Sequence, residues 1–371
     1  MKVVSIVGAR PQFIKAAPVS SLLREGDHQE ILLHTGQHYD YEMSQVFFDE
    51  LGIPQPDLNI DVGSGTHGWQ TGQMLIRIEK VLLQMNPDVV LVYGDTNSTL
   101  AGALAACKLR LPLAHIEAGL RSHNREMPEE HNRVLTDHCS DFLFCPTRTA
   151  VENLASEGLK QGVVFVGDTM YDAVLKFMEI ARKRSNILQR LGVQPRKYFL
   201  ATLHRAYNTD VVENLHNILC ALTEIGEPVI FPAHPRTRNR IEQTNGQLHA
   251  LDGDSNVRTI DPVSYLDMLV LEENARAILT DSGGMQKEAY FLGVPCITLR
   301  PETEWIETVE AGWNKLVGAN LNRIVTAVKN VNSPPNRKKT SRLFGQGDAA
   351  LRIVKKLESE LTKPREYFTH A

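Results

Sequence analysis

Short apolar runs recur along this chain at helix-length intervals. In the first half they are Val3 to Val7, Ile31 to His34, Val89 to Tyr93, Leu113 to Ile116, Phe142 to Cys145 and Val163 to Val166. Runs of this length without polar alternation predict strands buried on both faces. The segments between them, such as Gln73 to Gln84 and Ala101 to Leu109, carry the one-sided apolar spacing of covering helices. A second series begins after Gly167: Tyr198 to Leu203, Val229 to Pro232, Val257 to Ile260, Ala277 to Leu279 and Cys296 to Leu299. The fold class expected is therefore α/β, with two Rossmann-like doubly wound parallel-sheet domains facing a central cleft. The boundaries expected are 1–167 for the first domain, 168–350 for the second, and 351–371 for a C-terminal helix and tail that pack back on the first. The segment from Asp172 to Arg190 reads as a charged surface helix, and Asn332 to Thr340 as a polar loop.

Length agrees, since 371 residues exceed what one core of ordinary size organises. Hydrophobic content of 42% and charged content of 23% are those of a soluble globular protein, and a net charge of −4 offers no basic face for nucleic acid. The five cysteines, Cys107, Cys139, Cys145, Cys220 and Cys296, are dispersed and mostly set in apolar runs, as reduced core residues of a cytoplasmic protein would be. Met1 to Gly8 is one strand long and is followed by Arg10 and Lys15, which argues against a secretion signal. No run of ~18 apolar residues occurs, so no membrane insertion is expected. His115-Ile-Glu117 echoes the start of a zinc deaminase signature, but no Pro-Cys-x-x-Cys follows.

The chemistry concentrates just past the strand ends, where doubly wound sheets bind ligands. Asp95 follows one strand and Glu117 another. Glu129 and Glu130 follow Pro128, where a helix should start. Crowded carboxylates raise one another's pKa, which suits proton transfer near neutral pH. The structural alternative is that Asp95 caps the helix beginning at Thr96, while Glu129 and Glu130 serve a first helical turn. Thr35-Gly-Gln-His38 and His234-Pro-Arg236 end further strands. Arg10 and Lys15 leave the first strand, His204 and Arg205 leave the first strand of the second domain, and Asp281-Ser-Gly-Gly284 forms a small-residue turn before a helix. Cations from both domains around such a turn fit a diphosphate. Neither a P-loop nor Gly-x-Gly-x-x-Gly is present, which leaves a carbohydrate nucleoside diphosphate as the best ligand class.

Taken in order, Gly8-Ala-Arg-Pro-Gln-Phe-Ile-Lys15, Thr35-Gly-Gln-His38, Tyr93-Gly-Asp-Thr-Asn97, Glu117-Ala-Gly-Leu-Arg121, Pro128-Glu-Glu-His-Asn-Arg133, Leu203-His-Arg205 and Thr280-Asp-Ser-Gly-Gly284 resemble the non-hydrolysing UDP-N-acetylglucosamine 2-epimerases through nearly the whole chain. The resemblance implies a fold of the glycosyltransferase-B type. It implies interconversion of UDP-N-acetylglucosamine and UDP-N-acetylmannosamine without metal or cofactor, for a cell-surface polymer, in a homodimer. The implied reaction removes the C2 hydrogen as UDP leaves C1, and UDP then adds back to the resulting 2-acetamidoglucal. By motif position, Asp95, Glu117, Glu129 and His204 become catalytic. Arg10, Lys15, Arg133, Arg205, Ser282, Gly283 and Gly284 would hold the UDP-sugar, with Glu288 at the ribose and Met268 beside uracil.

Several positions depart from the family pattern. Pro11-Gln12-Phe13 replaces a Pro-Glu-Ala run, Tyr207 stands where Glu is usual, Lys287 replaces a carboxylate, and Trp305 replaces a cation. Similar substitutions occur in the branch that acts on UDP-2,3-diacetamido-2,3-dideoxyglucuronate. Lys287 would then either balance the uronate's extra charge or be a surface lysine with no role. Rival readings are a transferase of the same fold, a hydrolysing 2-epimerase and a non-catalytic sensor. The last should have lost a carboxylate, and none is missing.

Overall fold

The computed structural model describes residues 1–37, 48, 51–233, 235–243, 256–331 and 343–361. The expectations placed on His38, His234 and the loop at 332–340 lie outside the described residues. The chain forms two compact units, one of Met1–Leu175 with Ser341–Ala371, the other of Lys176–Thr340.

The first unit is built on a seven-stranded parallel sheet. Its strands are β1 (Lys2–Val7), β2 (Gln29–His34), β3 (Leu58–Asn59), β4 (Val89–Tyr93), β5 (Leu113–Ile116), β6 (Phe142–Cys145) and β7 (Val163–Phe165), in the order β3-β2-β1-β4-β5-β6-β7. Every residue of β4, β5 and β6 is buried, as unbroken apolar strands beneath helices on both faces should be. Strand order reverses between β1 and β4, so the turns after these two strands flank the switch point. Gly8, in the first of these turns, is glycine for a steric reason. A Cβ there would lie 2.0 Å from Ser98 Oγ and 2.3 Å from Thr35 Oγ1.

Gln12, one of the departures, stitches the same region. Its carboxamide oxygen accepts from the amides of Gly8 and Ala9, each at 2.9 Å, while its nitrogen donates to the Tyr93 carbonyl at 2.7 Å and to Thr99 Oγ1 at 3.0 Å. A glutamate here would set an oxygen against the Tyr93 carbonyl, so the amide suits the site.

The second unit carries six parallel strands, β8 (Phe199–Thr202), β9 (Val229–Pro232), β10 (Val257–Ile260), β11 (Ile278–Thr280), β12 (Cys296–Thr298) and β13 (Asn314–Leu316), in the order β10-β9-β8-β11-β12-β13. Its reversal lies between β8 and β11.

The charged segment after Gly167 corrects one expectation. It forms helices Thr169–Arg184 and Ile187–Leu191, and Ala173, Val174, Phe177, Met178 and Ala181 are buried along the first, which is therefore half core and half surface. The chain passes from one unit to the other within that helix. The last helix, Ala349–Leu361, buries Ile353, Val354 and Leu357 and packs on helix Arg10–Glu25 of the first unit. His28 and Glu358 meet beside it at 2.9 Å. Asp172 supports its start by accepting from the amides of Ala349 and Ala350 at 3.2 and 2.8 Å.

Candidate active site

In the first unit Asp95 and Glu117 leave the ends of neighbouring strands, where Tyr93 of β4 pairs with Ile116 of β5. Asp95 does not cap the following helix. Thr96 does, accepting from the Thr99 amide, and the Asp95 side chain turns instead to Arg133. Arg133 is buried and reaches Asp95 Oδ2 through Nε at 3.0 Å and Nη2 at 2.7 Å, with Nη1 on Glu130 at 2.7 Å. Asn132 fixes the same turn by donating to the Asp95 carbonyl at 2.9 Å.

Glu117 is 6% exposed and paired with Lys15. Its backbone is in the left-handed region at φ 78°, a conformation that costs a non-glycine residue about 1–2 kcal/mol. The Lys15–Glu117 pair lies close over Gly94, where a Cβ would fall 3.1 Å from Glu117 Oε2 and 3.3 Å from Lys15 Nζ. Each of these two carboxylates is thus matched by a cation.

The adjacent glutamates of helix Pro128–Cys139 separate cleanly. Glu130 is buried and accepts from the Ser122 amide and hydroxyl, each at 2.9 Å, from the His123 amide at 2.8 Å and from Arg133. Burial opposes its charge, but these hydrogen bonds outweigh burial and hold its carboxyl below the ordinary value. It is a structural anchor. Glu129 sits half-exposed in the same first turn and is the one of the two able to meet a substrate.

In the second unit the turns after β8 and β11 are tied together by Asp281. This wholly buried carboxylate accepts from the amides of His204 at 3.0 Å and Arg205 at 3.1 Å and from Asn208 Nδ2 at 3.0 Å. The sequence shows it only as the start of a small-residue turn, and nothing there marks it as the residue that aims His204 and Arg205. His204 is exposed and Arg205 half-buried, while Arg10, also exposed, opens its own helix in the first unit. Ser282 caps helix Gly283–Leu292 by accepting from Met285. Gly283 leaves no room for a side chain, since a Cβ would lie 2.2 Å from Glu304 Oε1. Gly284 is half-buried beside it. That helix has the exposed amides and small residues of an anion-binding N-terminus.

Behind the turn, Glu288 accepts from the Tyr265 hydroxyl at 2.7 Å. Glu272 is wholly buried, and neither of its carboxylate oxygens has a hydrogen-bond partner among the described residues. Burial first, and the charge of Glu288 second, push its carboxyl well above the ordinary range. Met268 is half-buried on helix Tyr265–Asn274. Lys287 is not a surface residue. It is 1% exposed, with Nζ 4.1 Å above the Trp305 ring. Two departures from the family pattern therefore form one contact, a cation on an aromatic face.

The two sheets with polar groups at their switch points define a nucleotide-sugar enzyme of the glycosyltransferase-B type. Residues 21–358 match the profile of the UDP-N-acetylglucosamine 2-epimerases. The chain is 54% identical over 360 residues to a UDP-N-acetylglucosamine 2-epimerase homolog of Methanococcus maripaludis, covering 97% of this chain and 100% of that one. It is 50% identical to the UDP-2,3-diacetamido-2,3-dideoxy-D-glucuronate 2-epimerase of Pseudomonas aeruginosa, over 96% of this chain and 99% of that one. The crystal structure of Methanocaldococcus jannaschii UDP-GlcNAc 2-epimerase in complex with UDP-GlcNAc and UDP superposes with a TM-score of 0.89 at 48% identity, covering 97% of this chain and 100% of that chain. The chain belongs to the UDP-N-acetylglucosamine 2-epimerase family and is an epimerase.

Proposed function

We propose that this enzyme inverts C2 of a UDP-2-acetamido sugar, taking UDP-N-acetylglucosamine to UDP-N-acetylmannosamine in the cytoplasm as a precursor of cell-surface polysaccharide. The observation that supports this most is the pair of carboxylates, Asp95 and Glu117, each held by a cation at the end of adjacent strands. A hydrogen on C2 has no neighbouring carbonyl, so direct deprotonation is slow, and elimination offers the easier route. A carboxylate takes the C2 proton, the C1–O bond breaks, and its electrons leave with UDP. The 2-acetamidoglucal then takes a proton on its other face from a second carboxylate as UDP re-forms the C1–O bond. Each acid or base contributes ~10²–10⁴ in rate.

In this reading the second unit handles UDP. Arg205, His204 and the Ser282-Gly283-Gly284 turn hold the diphosphate, while Glu288 faces the ribose and Met268 the uracil. Lys15 and Arg133 pair with Glu117 and Asp95 between turnovers.

A second substrate has its own support. UDP-2,3-diacetamido-2,3-dideoxyglucuronate carries one more negative charge, and Lys287 is a buried cation in contact with Trp305, which itself lies against Gly283 of the turn. Incubation with each nucleotide in D₂O, followed by NMR at C2, tests both. Deuterium at C2 together with the manno product supports elimination, and the faster substrate decides the sugar. Free sugar would mean hydrolysis, and no exchange with either nucleotide would refute the proposal.

The homodimer is part of the same proposal. Trp69, Ile76 and Leu83 stand 49%, 51% and 64% exposed at seven-residue spacing on helix His67–Met85, a seam that a second copy of the helix can cover. Ile76→Glu should halve the mass measured by light scattering; an unchanged mass places the interface elsewhere.

A further inference from the structure

His115 lies on β5, two residues before Glu117, with no part of its side chain exposed. Both ring nitrogens face oxygen. Nε2 is 2.7 Å from the Gly94 carbonyl, which can only accept, so Nε2 carries a proton. Nδ1 is 2.7 Å from Asp137 Oδ1. The other oxygen of Asp137 already accepts from the Arg121 guanidinium at 2.8 Å and the Gly119 amide at 3.1 Å. A carboxylate engaged by a guanidinium and a peptide N–H is held ionised, and it can only accept from Nδ1. The ring therefore carries both protons. Either neutral form would set a nitrogen lone pair against an oxygen lone pair in the dry interior, at the cost of an unsatisfied buried group.

The four partners span the working end of the sheet. Gly94 precedes Asp95 and has φ 64°. Gly119 follows Glu117 at φ 80°, and a Cβ on it would lie 2.3 Å from the Ala150 carbonyl. Arg121 continues to Glu157 at 2.7 Å, so the charges His115⁺, Asp137⁻, Arg121⁺ and Glu157⁻ alternate to neutrality. We infer that His115, donating from both ring nitrogens, ties the turn carrying Asp95 to the turn carrying Glu117, and is the positioning residue for both carboxylates. It touches no substrate. Its work is to hold two turns in left-handed backbone that they would leave if untied. The positioning role rests on the function proposed above; the charge state does not.

Two variants mimic the two halves of the ring. His115→Gln keeps a donor for Gly94, and His115→Asn keeps one for Asp137. Both should lose about 10²-fold in kcat, the penalty for displacing catalytic groups by about 1 Å. Affinity for UDP by calorimetry should stay within about threefold, because UDP belongs to the second unit. The charge is read separately with ¹⁵N-histidine-labelled wild-type protein, the His115 signals being the ones absent from a variant. At the pH of the epimerisation assay both nitrogens should carry a proton, because both face acceptors. A bare ring nitrogen at that pH would overturn the inference. So would folded variants with near-normal kcat, or a loss confined to UDP affinity. If neither variant folds, through-bond correlation from the assigned backbone of ¹³C,¹⁵N-labelled wild type to the His115 ring still identifies its nitrogens and shows whether each carries a proton. If wild type epimerises neither nucleotide, the proposed function fails while the nitrogen shifts still stand or fall alone.

Discussion

Glu129 and Glu130 are neighbours of the same chemistry, yet one is half-exposed and the other buried in hydrogen bonds, and removing one charge at a time tests the different roles proposed for them. In Glu130→Gln the amide oxygen can take the place of Oε2, keeping Ser122 and Arg133, which leaves the amide NH₂ where Oε1 accepted from His123 at 2.8 Å. Two donors then face each other, and the buried Arg133 loses half of its counter-charge. One unsatisfied charged hydrogen bond costs ~1.5–3 kcal/mol, and the weakened Arg133 contact brings the total to about 3 kcal/mol. For a domain of 150–250 residues that corresponds to a melting temperature lower by roughly 6–12 °C. Glu129→Gln should move the melting temperature by no more than about 2 °C while lowering kcat ~10²–10⁴-fold. Calorimetry and the C2 exchange assay on the two proteins give the four numbers. The pH dependence has a definite sign. Because Glu130 is held below its ordinary value, its stabilisation is complete above the ordinary carboxylate range and fades as pH falls through the lower folded value; the variant should lack that acid limb. If Glu130→Gln melts like wild type, or if Glu129→Gln is the less stable of the two, the division of labour is wrong.

Other expectations follow from particular contacts. Gly283→Ala forces the Glu304 carboxylate away from Arg300, which it meets at 3.0 Å, so UDP affinity by calorimetry should fall about tenfold, or ~1.4 kcal/mol. Lys287→Met should raise KM for the uronate nucleotide more than for UDP-N-acetylglucosamine; equal effects would remove the charge argument. Burial lifts the Asp172 carboxyl to about 6, against its hydrogen bonds from Ala349 and Ala350. A raised value means the folded state holds the proton more tightly, so this group's contribution favours folding at low pH and is lost as pH rises from ~4 through 6. The stability of wild type relative to Asp172→Asn should therefore decline across that window, and a flat difference would show that the group titrates normally.

Much of this was legible from apolar runs alone. The eleven strands read from the sequence recur within a residue or two, because strands buried on both faces carry continuous apolar side chains. β3 and β13 escaped notice. They are edge strands of two and three residues, Leu58–Asn59 and Asn314–Leu316, in which polar side chains break the apolar run. The strand ends carrying Asp95, Glu117, His204 and Ser282 were visible for the same reason. Partners were not. Whether Asp95 caps a helix or meets Arg133, and which of two adjacent glutamates is anchored, depends on contacts between residues as far apart as 38 in sequence. Asp281, Asp137 and His115 look like ordinary members of a turn, a helix and a strand, and only their hydrogen bonds give them a role. Lys287 and Trp305 looked like two separate departures until one was seen lying on the other.

The left-handed backbone of Glu117 has a consequence for laboratory evolution. At φ 78° the chain would be more comfortable with glycine, or with asparagine, than with any longer side chain. A population selected for heat resistance alone, with no demand for turnover, can relieve this strain by substitution at this codon only by removing the partner of Lys15, and on the function proposed above the resulting proteins would be inert. On the function proposed above, the strain at this one dihedral angle is kept for catalysis, so a campaign to toughen the enzyme should hold residue 117 fixed and seek its gains elsewhere.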